Sequence, residues 1–287
     1  MSDKVIGVIG GSGLYQMDGM TDVREERIDT PFGEPSDALV VGKLGDVTLA
    51  FLPRHGRGHR LMPSDINFRA NIYALKQIGA QWIISVSAVG SLKEHIAPGQ
   101  ILIPDQFFDR TKSRVPTFFG EGIVAHVAFA DPVCSELAQI LYDAGIEVGA
   151  TIHQYGTYIC MEGPQFSTRA ESNVYRSWGM DVIGMTNIPE AKLAREAEIC
   201  YATMAMCTDY DCWREPDDDV SIESILEIMN SNVVVAQKLI AAAVPKIGGE
   251  RNCKCASALE YGIITDRAVI PEQTVRKLGP IVSKYLA

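Results

Sequence analysis

The stretch "KVIGVIGGSG", residues 4–13, decides the fold. Val5, Ile6, Val8 and Ile9 form a β-branched apolar run that reads as a buried strand. Gly10, Gly11, Ser12 and Gly13 follow without a polar spacer. Gln16 stands where a dinucleotide fingerprint needs its third glycine, so that motif fails. The G-K-[ST] of a P-loop is absent, and Leu14 breaks the pattern of a nucleophile elbow. Two readings survive: a strand-end loop whose N–H groups converge on an anion beside the Ser12 hydroxyl, or a plain glycine turn.

Outward from this strand the chain alternates short apolar runs with helical patterns. Strands are expected in "ALVVGKL", "VTLAFLP", "WIISVSAVG", "QILIPDQF", "TYICMEG", "DVIGM" and "CYATMAMCTDYD". Helices are expected in "SDINFRANIYALKQIG", opening on Ser64 and stopping at Gly79, and in "CSELAQILYDAG", ending on its glycine. Two more are expected in "TRAESNVYRSWG" and in the long "SIESILEIMNSNVVVAQKLIAAAV", which starts at Ser221. Residues 110–130 read as a loop. "ALVVGKL" and "VTLAFLP", joined near Gly45-Asp46, read as a hairpin. The alternation argues for an α/β fold with a mixed sheet, and the lack of a linker or repeat for one domain over residues 1–287.

The 287 residues are 47% hydrophobic, enough for a large core, and carry a net charge of -10. So acidic a chain has no general attraction for nucleic acid or anionic membrane, and an anionic ligand needs a local positive pocket. No basic-then-apolar leader opens the sequence, and no apolar run is read as a membrane span, so a cytoplasmic protein is expected. Seven cysteines are scattered along the chain. Cys253 and Cys255 stand two apart, but no second Cys or His pair lies at ligand spacing, so no metal site is expected. The readings left for the pair are buried reduced thiols or a disulfide, for example with Cys134, Cys200 or Cys207.

Ligands of such sheets sit beyond the carboxyl ends of strands. Arg54 and His55 follow one apolar strand in "RHGRGH", offering a planar fork and a further donor for an anion; surface charge is the alternative. Ser87 and the Ala88 amide follow another. Asp209 and Asp211 end a third in "TDYDCW", as a general acid and an acceptor for a base, or as a solvated acidic corner. Phe166, in "MEGPQFSTRAES", can stack on a flat ligand or fill the core under a turn. Together these parts suggest a small anion, a flat heteroaromatic group and a carboxylic acid beside it, a set that fits phosphorolysis of a nucleoside.

The chain resembles the S-methyl-5'-thioadenosine phosphorylases of the trimeric purine nucleoside phosphorylase family. "VIGGSGLY", "RHGRGHRLMPSDINFRANIYALK", "SAVGSLKEHIAPGQILIPDQFFDRT", "MEGPQFSTRAES", "WGMDVIGMTNIPEAKLAREAEICYA" and "TDYDCW" carry the likeness, across residues 5–247. The resemblance implies a mixed twisted β-sheet, partly barrel-like and flanked by helices. It implies phosphate held by Ser12, Arg54, His55, Ser87, Ala88 and Thr186, with serine at the first and fourth where the family often has threonine. It places the purine by Phe166 and Ile183, with Asp209 at N7 as catalytic acid and Asp211 at N6, and the ribose at the Met185 backbone. It lines a 5'-methylthio pocket with Ile222, Ile225 and Leu226, reached by His126 of a neighbouring subunit in a homotrimer. Ser167 and Ile222 set specificity; the 6-oxopurine enzymes carry glutamate at the Ser167 position. Inorganic phosphate is then a co-substrate, and no cofactor or metal is needed. A broader purine nucleoside or methylthioinosine phosphorylase is the near alternative. A non-catalytic nucleoside-binding protein is the distant one, disfavoured by the presence of Ser12, Arg54 and Asp209.

Overall fold

A computed structural model of the chain describes residues 4–11, 13–214 and 222–286; the side chains of residues 222–226 lie outside the described residues. Eleven strands form one mixed sheet. Its centre is β5 (Trp82–Ser91), which pairs in parallel with β1 (Lys4–Gly10) and β11 (Cys200–Asp209). Beyond β1 lie β4 (Val47–Pro53), β3 (Leu39–Leu44) and the edge strand β2 (Thr21–Glu26). The far end of β5 pairs antiparallel with β10 (Val182–Gly184), which continues into β9 (Thr157–Met161) and β7 (Gln106–Arg110). β11 also carries β6 (Ile101–Ile103), and β6 carries β8 (Ile152–Gln154).

The opening strand is buried on both faces, which is why it reads as one apolar run. Val5 and Ile9 enter one core cluster, and Ile6 and Val8 enter the other. The first cluster receives α1 (Phe68–Gln77) and α4 (Asn187–Glu196), and the second α2 (Ser135–Glu147) and α5 (Ile222–Ala243). α3 (Arg169–Ser177) caps a small third cluster around Ile159 and Ile183. α5 is long and apolar enough, by length and composition, to cross a membrane. Its Ala236, Leu239, Ile240 and Ala243 are fully covered by the protein's own core, as in the core helix of a globular fold.

The expected hairpin is present: β3 and β4 pair antiparallel around Gly45, whose φ of +59° suits a tight turn. Several expectations are corrected. Asn67, not Ser64, caps α1, because the Asn67 side chain accepts from the Ala70 amide. α2 runs past Gly145 to Glu147; Gly145 serves packing, since a Cβ there would meet Ile152 Cδ1 at 2.5 Å. "QILIPDQF" divides into β6 and β7. Two expectations agree with the structure: the helix of "TRAESNVYRSWG" is α3, opened by a Thr168–Glu171 capping box, and residues 111–130 form no helix. The expected start of α5 at Ser221 lies outside the described residues.

Candidate active site

The site is an opening in the sheet. β1 pairs with β5 as far as Ser85, and β10 takes up pairing only at Gly90. Residues 86–89 therefore present one free edge where the sheet changes partners, the place at which open α/β sheets bind ligands. The Val86 carbonyl on this edge accepts from Arg54 Nη1 at 2.8 Å. N–H and C=O groups alternate sides along a strand, so the Ala88 amide points the same way. Ser87 Oγ lies 3.4 Å from Thr186 Oγ1 and 3.2 Å from the Tyr158 hydroxyl. Thr186 caps α4 with no side-chain capping bond, and its hydroxyl turns instead toward Ser87 Oγ. Gly10 packs closely here: a Cβ would push aside the end of the Leu14 side chain, 2.4 Å away at Cδ1, and press on Val86 Cβ at 3.2 Å. Ser12 lies outside the described residues.

Arg54 is buried, and its fork turns inward rather than being offered whole to an anion as the sequence suggests. Nε and Nη2 grip the two oxygens of Glu190 at 2.9 Å each, and Nη2 also reaches Ser85 Oγ at 2.6 Å. With Nη1 donating to Val86, one Nη1 proton is left for a ligand among the described residues. Glu190 is fully buried and also accepts from Ser85 at 3.0 Å and from Tyr201 at 2.8 Å. Asn187 extends the network to Tyr201 and Thr203. Glu190 was not legible as a site residue, because its partner lies 136 positions away.

His55 also differs from expectation. Its Nδ1 lies 2.9 Å from the Leu61 carbonyl, so Nδ1 is the donor. Burial first, against the Leu61 bond that favours the cation, lowers the imidazole to about 4. At neutral pH the ring is uncharged and presents Nε2 as an acceptor, fitted to a P–OH rather than to a bare anionic oxygen. Gly56, at φ +70°, makes the turn that brings this ring under Leu61. Arg57 and His59 are structural: Arg57 pairs with Glu25 at 2.8 Å, and the His59 ring stacks on His55.

The carboxylate end adjoins the anion end. Asp209 Oδ2 accepts from Thr208 Oγ1, and Oδ1 from the Asp211 amide, both at 2.7 Å. Asp211 Oδ2 is buried with no hydrogen-bond partner among the described residues. Burial raises the Asp211 carboxyl, against the pull of the nearby Ser172 and Ser167 hydroxyls. Gly90 is where the pieces meet. A Cβ there would lie 3.0 Å from Asp209 Oδ1 and 3.2 Å from both Asp211 Cβ and Ile183 Cγ2. The sequence reading missed Gly90 as it missed Glu190. Ser167 is half-buried, with its carbonyl accepting from Cys212, and so stands beside Asp211. The Met185 carbonyl accepts from Arg114 at 2.6 Å.

Beside Ala88 and Thr208 lies an apolar cleft of about 130 Å³, lined also by Gly11, Met229, Asn232 and Val233, among others. Met229 and Val233 continue along α5 the stripe of Ile222, Ile225 and Leu226, whose side chains lie outside the described residues. Phe166 is not a core aromatic: it is 82% exposed. His126 is exposed too. It sits on the 111–130 loop, its amide donating to Gly262, and no hydrogen bond among the described residues joins it to the cleft.

The fold and site together define an α/β protein with an opening at its strand ends, where Arg54, Ser87 and Thr186 gather near the Asp209 and Asp211 carboxylates and an apolar cleft runs past Ala88. The chain belongs to the phosphorylase superfamily, which matches residues 5–245. Within it, the S-methyl-5'-thioadenosine phosphorylase of Geobacter sulfurreducens is 62% identical over 285 residues, covering 99% of this chain and all of the relative. That of Koribacter versatilis is 59% identical, covering 98% of this chain and 96% of the relative. A methylthioadenosine phosphorylase sourced from an antarctic soil metagenomic library superposes with a TM-score of 0.94 at 49% identity, covering 98% and 99% of the two chains. The Schistosoma mansoni methylthioadenosine phosphorylase in complex with adenine gives 0.83 at 36% identity, over 90% and 96%.

Proposed function

We propose that the chain catalyses phosphorolysis of S-methyl-5'-thioadenosine to adenine and 5-methylthioribose 1-phosphate, in methionine and purine salvage. The observation that carries this reading is the free edge of β5, with Ser87, Thr186 and the last Arg54 proton at one end and Asp209 and Asp211 at the other. The full-length likeness to S-methyl-5'-thioadenosine phosphorylases supports the substrate.

In this reading phosphate occupies the cradle formed by Ser12, Arg54, His55, Ser87, the Ala88 amide and Thr186. Glu190 neutralises most of the Arg54 charge, so the hydroxyls and amides orient the anion, and His55 Nε2 accepts a hydrogen bond from its P–OH. The glycosidic bond lengthens to an oxocarbenium-like sugar, which the phosphate stabilises and then captures at C1'. The base departs over the carboxylate pair. A purine seated there shields the Asp209–Asp211 pair from water. One proton held by the pair is delivered by Asp209 to N7, while Asp211 accepts from the 6-amino group. Ser167 leaves space beside the base, and the apolar cleft favours a methylthio group over a hydroxyl by a few kcal/mol at most.

The active assembly in this reading is a cytoplasmic homotrimer, with His126 reaching the neighbouring 5' pocket. Val124, Tyr261 and Ile264 are exposed beside the ladder that joins residues 124–126 to 262–264, an apolar patch fitted to a subunit contact. The test is a comparison of methylthioadenosine, adenosine, inosine and methylthioinosine at one fixed phosphate concentration. The highest kcat/KM is expected for methylthioadenosine, and a preference for the 6-oxopurines would refute the assignment of Asp209 and Asp211.

A further inference from the structure

Four cysteines from three distant stretches meet at one point. Cys134 caps α2, Cys200 opens β11, and Cys253 and Cys255 flank the start of a 3-10 turn, Lys254–Ser257. Their sulfurs all lie within 4.8 Å of one another, and those of Cys200 and Cys253 are 3.4 Å apart. Cys134, Cys200 and Cys255 are buried and Cys253 is partly so. Four thiolates around a zinc ion at about 2.3 Å stand roughly 3.8 Å from each other, so the sulfurs need only small shifts to enclose one. The spacing argument against a metal cannot see this arrangement, because the second pair, Cys134 and Cys200, is assembled by the fold.

The surroundings suit a tetrathiolate. A divalent ion with four thiolates carries two net negative charges, which a buried site must offset. The Cys134 side chain makes no capping hydrogen bond and stands at the positive end of a 13-residue helix. Arg195, buried and donating to the carbonyls of Ala128 and Asp131, is a nearby positive charge that would help offset the negative charge of a metal–thiolate group. Thiols used only for packing stand apart from such a group, as Cys160 and Cys207 do among the described residues.

We propose that Cys134, Cys200, Cys253 and Cys255 form a structural zinc site that ties the C-terminal segment to α2 and β11. Binding exchanges S–H bonds for S–Zn bonds and releases the displaced protons to solvent, with no change of oxidation state. The tied segment has structural duties of its own. Its Leu259 amide donates to Glu198 at 3.0 Å, and its Gly262 carbonyl receives the His126 amide at 2.9 Å. The site therefore braces the loop that carries His126.

The test is elemental analysis of the full-length protein, purified under a phosphine reductant with no metal added. About one zinc per chain is expected, and replacement by cobalt(II) should give the intense visible bands of a tetrahedral thiolate complex. Cys253→Ser and Cys255→Ser should each reduce the bound metal to background, and a zinc chelator should lower the Tm of the native protein but not of the double variant. Should either variant fail to fold, metal content and thiol titration of the native protein decide alone. Reduced protein that holds no zinc and takes up no cobalt would overturn the proposal. So would thiol titration showing the four cysteines paired as disulfides.

Discussion

Replacing Glu190 with glutamine probes the buried centre of the anion cradle. The Glu190 carboxylate is fully buried and accepts four hydrogen bonds, two from Arg54 and one each from Ser85 and Tyr201. Glutamine keeps one acceptor oxygen. Its amide nitrogen would face an Arg54 N–H, donor against donor, and the guanidinium would stay buried without a counter-charge. Removing one partner of a buried pair costs roughly 3–5 kcal/mol. At about 2 °C per kcal/mol for a chain of this size, Glu190→Gln should lower the Tm by roughly 6–10 °C. Phosphate should then raise the variant's Tm by more than it raises that of the unaltered protein, because the anion supplies the missing charge. Calorimetry at neutral pH, with and without phosphate, reads both quantities. An unchanged Tm, or a phosphate shift no larger than in the unaltered protein, would refute the reasoning.

Ser87→Ala removes a hydroxyl facing the anion; a hydrogen bond to a charged group is worth about 1.5–3 kcal/mol, so the phosphate KM should rise roughly 10- to 150-fold, and steady-state kinetics showing no rise would take Ser87 out of the cradle. Gly90→Ala puts a methyl 3.0 Å from Asp209 Oδ1, so it should lower kcat, as should Asp209→Asn, by about tenfold or more with little change in Tm; full activity in either variant would contradict the placement of the acid. Glu196 is buried, and that burial lifts its carboxyl to about 7, against bonds from Thr117 and Phe118 that favour the anion. The folded state thus binds this proton more tightly, so its contribution is fully present below about pH 4.5 and is lost as pH rises through 7, about 3 kcal/mol at most. Glu196→Gln should flatten the Tm profile over that window, and superimposable profiles would show that Glu196 does not set the slope.

Legibility in the sequence followed burial. β1, β4 and β5 are covered on both faces, so their apolar runs stand out. β2 is an exposed edge strand, "TDVREE", with no alternation to read. α4 escaped notice because Ile188 adopts a non-helical backbone near its start and because it buries Glu190, Arg195 and Glu196. At the site, residue types at strand ends pointed to Arg54, His55, Ser87 and Asp209, and the family resemblance added Thr186. The directions of their bonds were not legible. Arg54 turns its fork inward to a glutamate far along the chain, and His55 spends its donor on Leu61. Gly90 matters only because three side chains from β10 and the end of β11 converge on it, a fact of three-dimensional register. The cysteine cluster is the extreme case, because no local spacing records it.

The central claim is that phosphate, not water, takes the ribosyl group. It is tested most directly by following methylthioadenosine cleavage with and without inorganic phosphate while the phosphorus NMR spectrum is recorded. The account predicts adenine release that depends on phosphate and matches, mole for mole, the appearance of a sugar 1-phosphate. Adenine released at full rate without phosphate, with free methylthioribose as co-product, would contradict it.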